Sequence, residues 1–315
     1  MNDVLVLSAA RTPVGTFLGA LAPLSAPRLG AVAIKAALER AEVPASSVAQ
    51  VWMGNVLQAG QGQAPARQAA LAADLPPSTG CITVHKVCGS GMRAVMDAGN
   101  ALRAGEFDVA VAGGMESMSN APYLLPKGRS GLRMGHAQLL DSMISDGLWD
   151  PYKNVHMGNC AELCAAKYAF TREAQDAFAF ESYQRARRAN EAGDFNAEFA
   201  PVTIEGKKGP VTVDRDEEPF ATPLEKLEKM GTLKPAFQKE GTVTAANSSK
   251  INDGASALVL VSEAALGSWK PIARIVAQAS HAQEPEWFTT APVAAARKAA
   301  EKAGIPLSQI DLSSR

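Results

Sequence analysis

The stretch Thr83-Val-His-Lys-Val-Cys88-Gly-Ser-Gly-Met92 joins an apolar run to an Ala-rich run through a glycine-rich turn. The first run is typical of a β-strand, and residues 93–104 are typical of a helix. A cysteine at such a junction meets the free N–H groups and the positive end of the helix dipole, which favour thiolate over thiol. The glycines let a ligand approach the main chain, where the N–H of Cys88 can donate to an oxyanion. Cys88 is therefore a candidate nucleophile, and an inert, packed Cys–Gly turn is the alternative.

Outside this junction, residues 1–119 alternate short apolar runs with Ala-rich helical stretches. The alternation predicts an α/β domain with a buried central sheet. The predicted strands are residues 4–9, 48–53 and 108–112, and the predicted helices are residues 29–42 and 65–73.

Residues 120–244 have a different character, with more glycine, proline and charge. Amphipathic patterns predict helices at about 157–168 and 171–192. A long excursion of this kind tends to carry binding function. Strand character returns at residues 242–246, and the apolar run 255–261 is expected to complete the first sheet.

The last part of the chain repeats the first. Residues 37–48 align without gaps on residues 299–310, and the helix end, the proline and the next strand start coincide. Two domains of one design are implied, and a chance match of short Ala-rich segments is the alternative. Strand starts are predicted at 271–276 and at Ile310, with a helix at 292–303. Only five residues follow Ile310, so the predicted second domain is incomplete.

Composition narrows the class of protein. A chain of 315 residues with 47% hydrophobic residues can build two buried cores. A net charge of −1 and scattered Lys and Arg predict no nucleic-acid or membrane partner. No apolar run approaches the ~20 residues of a membrane span, and the strand-like start leaves no room for a leader. The four cysteines, which are too few for a disulfide framework, predict free thiols in the cytoplasm and no metal site: Cys81, Cys88, Cys160 and Cys164.

Several motifs together make this chain resemble the thiolases over residues 4–312. As a set, these motifs are highly specific to that family. They are Ser8-Ala-Ala-Arg-Thr-Pro, Gly54-Asn-Val-Leu-Gln, Gly62-Gln-Ala-Pro-Ala-Arg-Gln-Ala, Val87-Cys-Gly-Ser-Gly-Met, Val111-Ala-Gly-Gly-Met-Glu-Ser-Met-Ser, His156-Met-Gly, Gly241-Thr-Val-Thr-Ala-Ala-Asn-Ser-Ser and Asn252-Asp-Gly-Ala.

The resemblance implies the thiolase fold, an α/β architecture layered αβαβα from two similar domains with an inserted loop domain. Residues 1–119 with 245–268 would form the N-terminal domain that bears Cys88. Residues 120–244 would form the loop domain, which binds coenzyme A and makes oligomer contacts. Residues 269–315 would begin a C-terminal domain that is truncated here. A homo-oligomer, specifically a tetramer formed through residues 122–136, is expected if the fold is complete.

The resemblance also implies a reaction. Cys88 takes an acetyl group from acetyl-CoA, and the enolate of a second acetyl-CoA attacks it to give acetoacetyl-CoA, with thiolysis as the reverse. Matching residues place Leu148, His156 and Met157 along the pantetheine and acyl pocket, and Ser249 against the pantetheine. Coenzyme A thioesters are substrates in this scheme, and no permanently bound cofactor is expected.

Phe288 stands where many short-chain thiolases carry Met, and it is assigned to the same pocket. It is similar to the potassium-responsive type of thiolase, in which Phe is followed by Pro. Here Thr289 follows. A potassium site near Tyr183 and residues 245–246 is therefore not favoured.

Thiolases carry three further motifs towards the C-terminus: an Asn-Glu-Ala segment, a Gly-His-Pro segment and a Cys-Gly turn. None of them follows Ile310 in this sequence. Their His activates the nucleophile, and acid–base assistance of that kind is worth ~10²–10⁴-fold, so the chain as given is expected to be inactive or severely impaired. Two alternatives remain open. One is a 3-ketoacyl-CoA thiolase of fatty-acid β-oxidation, and the other is a non-catalytic fragment that binds coenzyme A.

Overall fold

A mixed sheet of seven strands is the central feature of the computed structural model, which describes residues 3–313. Four terminal residues of the predicted domains lie outside the described residues: Met1, Asn2, Ser314 and Arg315. The strands are β1 (Val4–Arg11), β2 (Gly15–Thr16), β3 (Gln50–Gly54), β4 (Gly80–Val84), β5 (Val109–Ser117), β6 (Tyr123–Leu124), β7 (Leu140–Asp141), β8 (Trp149–Asp150), β9 (Val155–His156), β10 (Val202–Ile204), β11 (Val211–Val213), β12 (Asn252–Ser262) and β13 (Ala273–Ile275).

Helices connect these strands and cover the sheet. They are α1 (Ala26–Ala41), α2 (Pro65–Ala72), α3 (Ser90–Ala104), α4 (Met157–Lys167), α5 (Arg172–Ala192), α6 (Glu218–Ala221), α7 (Leu224–Leu227) and α8 (Ala291–Ala303). A short π-helical segment also spans Met143–Leu148. Among residues 3–313, no helix is both long enough and apolar enough to cross a lipid bilayer.

The order of strands in the main sheet is β13-β1-β12-β5-β3-β4, and β2 pairs with β12. Strand β3 runs parallel to β4 and β5, with α2 and α3 as the crossover helices, whereas β12 runs antiparallel to β1 and β5. This topology brings the ends of β3, β4 and β5 to the same edge of the sheet, because parallel strands share a direction.

Helix α1 shows why these elements pack as a layer. Its apolar residues recur every three or four positions, and that face is fully buried against β12 and α2. The hydroxyl of Ser8 in β1 donates to the carbonyl oxygen of Ala37 in α1 at 2.6 Å, which ties the helix to the sheet. The helix ends where Glu42 adopts a left-handed conformation with φ 52°.

The predicted α/β layering is confirmed, with strand and helix bounds shifted by a few residues. The repeat is also visible locally. After Glu42, a 3₁₀ turn spans Ala45–Ser47, and after Gly304, which closes α8 with φ 67°, a 3₁₀ turn spans Leu307–Gln309. Both copies of the repeat therefore have the same order of features: a helix, a left-handed cap, a proline and a tight turn.

Two predicted strands are wrong. Residues 242–246 form a bend that leads into a turn, because the N–H groups of Thr242 and Val243 donate to the carboxylate of Glu162 and are not free to pair with a strand. At Ile310, the chain leaves a 3₁₀ turn and forms no strand in the described residues that follow.

The described chain divides into two compact units. Unit 1 comprises residues 3–147, 184–222 and 250–274, and it contains nearly all of the main sheet. Unit 2 comprises residues 148–183, 223–249 and 275–313. These bounds differ from those of the three predicted segments, and the predicted division into domains stays a prediction.

Candidate active site

Cys88 lies in unit 1, in the turn between β4 and α3, and its side chain is exposed. The preceding residue, Val87, has φ 46°, a conformation that a β-branched residue adopts only when its surroundings impose it. Ser90, the first residue of α3, supplies that constraint. Its hydroxyl donates to the carbonyl oxygen of Val87 at 2.6 Å and accepts the N–H of Lys86 at 2.8 Å. The turn that presents Cys88 is therefore held by the helix it precedes.

Two glycines of the sheet, Gly54 and Gly114, let this turn lie directly on the strands. A Cβ at Gly54, the last residue of β3, would lie 2.4 Å from the carbonyl carbon of Ser90 and 2.5 Å from the nitrogen of Gly91. A Cβ at Gly114 in β5 would lie 3.2 Å from the Cα of Gly91. Because side chains at these positions would push α3 outwards, the glycines set how closely the start of α3 approaches the strand ends.

The main-chain hydrogen bonds around Cys88 involve its neighbours and leave its own N–H unused. The N–H groups of Gly89 and Ser90 donate to the carbonyl oxygens of Lys86 and Val87, at 3.1 Å and 3.0 Å. Within residues 3–313, no acceptor lies within hydrogen-bonding geometry of the Cys88 N–H, and no side chain hydrogen-bonds to its Sγ. An exposed cysteine side chain beside a free N–H can attack a thioester carbonyl while that N–H stabilises the tetrahedral oxyanion.

Charged residues of the quoted motifs join distant parts of unit 1, a role that the sequence did not reveal. Arg11 donates to Asp216 at 2.8 Å and to Glu198 at 2.9 Å. Fully buried Asp253 accepts from the N–H of Ser119 at 3.0 Å. The partners of these charged residues are far away in the sequence, so the spacing of residues could not predict the pairs. The one sign in the sequence was a charged residue inside an otherwise apolar motif.

The letters Asn190-Glu191-Ala192 in α5 match one of the three motifs expected near the C-terminus. This Asn is a structural residue of unit 1. Its side-chain NH₂ donates to the carbonyl oxygen of Ala186 at 2.9 Å and to the carboxylate of Asp216 at 3.3 Å. The triplet is therefore not a candidate for the catalytic Asn segment.

His156 in unit 2 caps helix α4. Its Nδ1 accepts the N–H of Gly158 at 3.0 Å, and its ring stacks on that of Phe237 with centroids 4.8 Å apart. Burial lowers the pKa of His156, so the neutral imidazole is favoured. Because Nδ1 accepts, the neutral ring carries its proton on Nε2 and can donate from there to a ligand.

Phe237 is a residue that sequence reasoning missed. Its ring covers Gly158, where an added Cβ would lie 2.3 Å from the ring carbons. The glycine of the His156-Met-Gly motif is thus explained by an aromatic side chain 79 positions further along the chain. Asn159 fixes the same segment, because its amide donates to the carbonyl oxygen of Phe237 at 3.0 Å.

Ser249 lies exposed at the end of a segment that α4 holds in place. The carboxylate of Glu162 is 3% exposed and accepts the N–H groups of Thr242 and Val243, each at 2.8 Å, together with the Thr242 hydroxyl. A Cβ at Gly241 would lie 2.1 Å from the same carboxylate. Glu162 therefore determines the path of the chain towards Ser249.

The remaining predicted pocket residues also belong to elements around α4. Leu148 precedes the β8–β9 hairpin, in which Trp149 pairs with His156. Met157 is the first residue of α4. Phe288 is 41% exposed in the turn Pro285–Thr290, which packs against α4.

The predicted site residues are thus divided between the two units. Cys88 belongs to unit 1, whereas Leu148, His156, Met157, Ser249 and Phe288 all belong to unit 2. Their roles in binding remain predictions. In the part of the chain that the structure describes, no three His, Cys, Asp or Glu side chains are grouped as metal ligands would be.

Replacing His156 tests its capping role. His156→Ala removes the acceptor for the Gly158 N–H and is expected to lower the free energy of unfolding by about 1 kcal/mol, whereas His156→Asn keeps a capping oxygen and most of the stability. The pKa of the folded His156 lies below the ordinary value of 6.5, so the wild type should lose stability as the pH falls from 6.5 through that lowered pKa, and His156→Asn should lack this loss. Urea unfolding across this pH range measures both effects. Equal destabilisation by Ala and Asn would contradict the capping role.

Similarity to known proteins identifies the family to which this chain belongs. The family profile described as "Thiolase, N-terminal domain" matches residues 4–264, and the chain belongs to the thiolase family. Acetyl-CoA acetyltransferase 2 of Arabidopsis thaliana is 52% identical over 98% of this chain and 77% of its own length. Acetyl-CoA acetyltransferase of Pseudomonas aeruginosa is 50% identical over 99% of this chain and 80% of its own length.

A solved structure gives the same result for the fold. The crystal structure of a thiolase from Ascaris suum in complex with coenzyme A is 42% identical to this chain and superposes with a TM-score of 0.92. The alignment covers 98% of this chain and 79% of that one. The predicted family and the predicted thiolase fold are confirmed.

Proposed function

We propose that this protein is an acetyl-CoA C-acetyltransferase that works through an acetyl-Cys88 intermediate. The observation that carries the proposal is the strained turn at the start of α3, which exposes Cys88 beside a free main-chain N–H. The names of relatives that are about half identical over nearly the whole chain supply the acetyl-CoA substrate.

The reaction proceeds in two transfers. The Cys88 thiolate adds to the carbonyl carbon of acetyl-CoA, and collapse of the oxyanion expels the thiolate of coenzyme A and leaves acetyl-Cys88. A second acetyl-CoA loses an α-proton, which ends on the expelled coenzyme A as its thiol. The resulting enolate forms a carbon–carbon bond to the acetyl carbonyl and releases the Cys88 thiolate, giving acetoacetyl-CoA. The reverse sequence is thiolysis.

The first transfer can be tested directly. Purified chain mixed with acetyl-CoA should gain one acetyl group on the peptide that contains Cys88 and release one equivalent of coenzyme A. The other cysteines serve as internal controls, because burial raises the pKa of the Cys81 and Cys160 thiols and makes them poorer nucleophiles. An adduct on those cysteines, or none at all, would contradict the proposal and favour a protein that only binds coenzyme A.

The rate of turnover is a separate part of the proposal. Because no described side chain hydrogen-bonds to the Sγ of Cys88, turnover by the 315-residue polypeptide alone should be slow, by roughly the 10²–10⁴-fold that acid–base assistance supplies. A coupled assay of acetoacetyl-CoA thiolysis measures this, and ordinary thiolase rates would contradict it. Longer 3-ketoacyl-CoA substrates in the same assay test acetyl specificity, and exchanging potassium for sodium should leave the rate unchanged.

We also propose self-association through residues 122–136. Exposed apolar side chains in and beside this segment support it, because soluble proteins rarely leave such groups uncovered: Tyr123, Leu125, Leu132, Met134 and Leu139. Light scattering after gel filtration should give the mass of a homo-oligomer, and a tetramer is the expected state.

A further inference from the structure

Glu116 occupies an unusual position for a carboxylate. It lies near the end of β5, partly buried, and accepts three hydrogen bonds from the loop that leaves β3. The donors are the N–H of Val56 at 2.8 Å, the N–H of Leu57 at 3.2 Å and the side-chain NH₂ of Asn55 at 2.8 Å. The carboxylate therefore fixes the path of residues 55–57.

That loop is joined to the Cys88 turn on both sides. The N–H of Asn55 donates to the carbonyl oxygen of Val84, the last residue of β4, at 3.0 Å. Gly54, immediately before the loop, lies so close to Ser90 and Gly91 that a single added carbon would collide with them. Moving residues 54–57 would consequently move the entry to the turn and the first turn of α3.

Strand geometry explains why Glu116 can act on this turn. Side chains two positions apart in a strand lie on the same face, so Gly114 and Glu116 of β5 share a face. On that face, Gly114 lets Gly91 approach, and Glu116 grips the loop beside it. Residues 114–116 of β5 thus contact both the start of α3 and the loop at residues 55–57.

We propose that Glu116 is a positioning residue for Cys88: by binding residues 55–57, it fixes the Cys88 turn so that the Sγ and the main-chain N–H meet the thioester together. The proposal rests on the proposed role of Cys88 as acyl acceptor and extends it to a residue that does not touch the substrate. Acyl transfer depends on this alignment, whereas simple alkylation of an exposed thiol does not.

The charge of Glu116 gives the proposal a distinctive pH dependence. Burial raises the pKa of Glu116, and the nearby carboxylate of Asp253 in β12 raises it further, while the bonds from residues 55–57 oppose the rise. Protonation turns one acceptor oxygen into a donor that faces an N–H group. As the pH falls through this raised pKa, the hydrogen bonds between Glu116 and residues 55–57 should weaken.

Glu116→Gln reproduces the protonated state without changing the shape of the side chain. Either orientation of the new amide places its NH₂ against a loop donor. At neutral pH, acetylation of Cys88 by acetyl-CoA is expected to be about 10-fold slower than in the wild type, because displacements near 1 Å cost rates of up to 10²-fold. Alkylation of Cys88 by iodoacetamide should keep its wild-type rate. The ratio of wild-type to variant acetylation rates should approach one as the pH falls.

Glu217→Gln is the matched control. This carboxylate also accepts main-chain N–H groups in unit 1, from Thr16 at 2.9 Å and Ala20 at 3.1 Å, but it holds a different loop. Its variant should acetylate and alkylate at wild-type rates.

The outcomes separate the two proposals. If the wild type forms no acetyl-Cys88, the proposed function fails and the positioning role fails with it. If the wild type is acetylated and Glu116→Gln matches it, the positioning role alone is overturned. A variant that loses acetylation and alkylation equally, or whose rate ratio does not change with pH, would show general disruption and would also overturn it. If Glu116→Gln folds poorly, the wild type alone provides the same test. Its rate of Cys88 acetylation should fall relative to its rate of alkylation as the pH is lowered.

Discussion

Cys88→Ser is expected to abolish both the acetyl adduct and thiolysis of acetoacetyl-CoA. The serine hydroxyl is nearly the same size as the thiol, but it does not readily form an anion. It would also lack a base, because no described side chain hydrogen-bonds to the Sγ of Cys88. Because the Cys88 side chain is exposed, the free energy of unfolding should change by no more than about 0.5 kcal/mol. Intact-mass and peptide mass spectrometry after mixing with acetyl-CoA measure the first effect, and urea unfolding measures the second.

Cys164→Ser provides the control for that experiment. Cys164 lies on α4 in unit 2, is partly buried, and has no proposed role in acyl transfer. Its variant should still acquire one acetyl group on Cys88. If Cys88→Ser released coenzyme A from acetyl-CoA at the wild-type rate, the nucleophile would have to be another residue.

The layered fold was predictable because it depends on local periodicity. Apolar residues recur every three or four positions in α1 and in runs along β1, β5 and β12, and these patterns survive without knowledge of partners. The exception at residues 242–246 has a clear cause. Its β-like composition is overridden by the carboxylate of Glu162, 80 positions earlier in the chain, which takes the N–H groups that a strand would need.

The candidate site was predictable only in part, for the same reason. Cys88 was found because a cysteine in a glycine-rich junction between strand and helix has chemical meaning by itself. Glu116, Glu162 and Phe237 were missed, because each acts through a partner 59 to 81 positions away. The strained φ of Val87 gave no signal either, since Val is typical of strands and only the bonds made by Ser90 impose the turn.

Gly54→Ala is expected to have the largest effect on the fold of any substitution considered. The new Cβ would lie 2.4 Å and 2.5 Å from main-chain atoms of Ser90 and Gly91, which cannot rotate away as a side chain would. Either β3 or the start of α3 must shift, and overpacking of this kind costs about 3 kcal/mol. A shift of α3 by about 1 Å should also slow acetylation of Cys88 by up to about 100-fold.

The size of this effect can be separated from the general cost of adding a methyl group. Gly231 has open space around its Cα and an ordinary φ, so Gly231→Ala should leave the free energy of unfolding within about 1 kcal/mol of the wild type. Urea unfolding and the rate of Cys88 acetylation, measured on both variants, distinguish the two cases. Equal stability of Gly54→Ala and Gly231→Ala would mean that α3 can retreat from the sheet at no cost. The close approach of Gly54 to Ser90 would then have no part in holding Cys88.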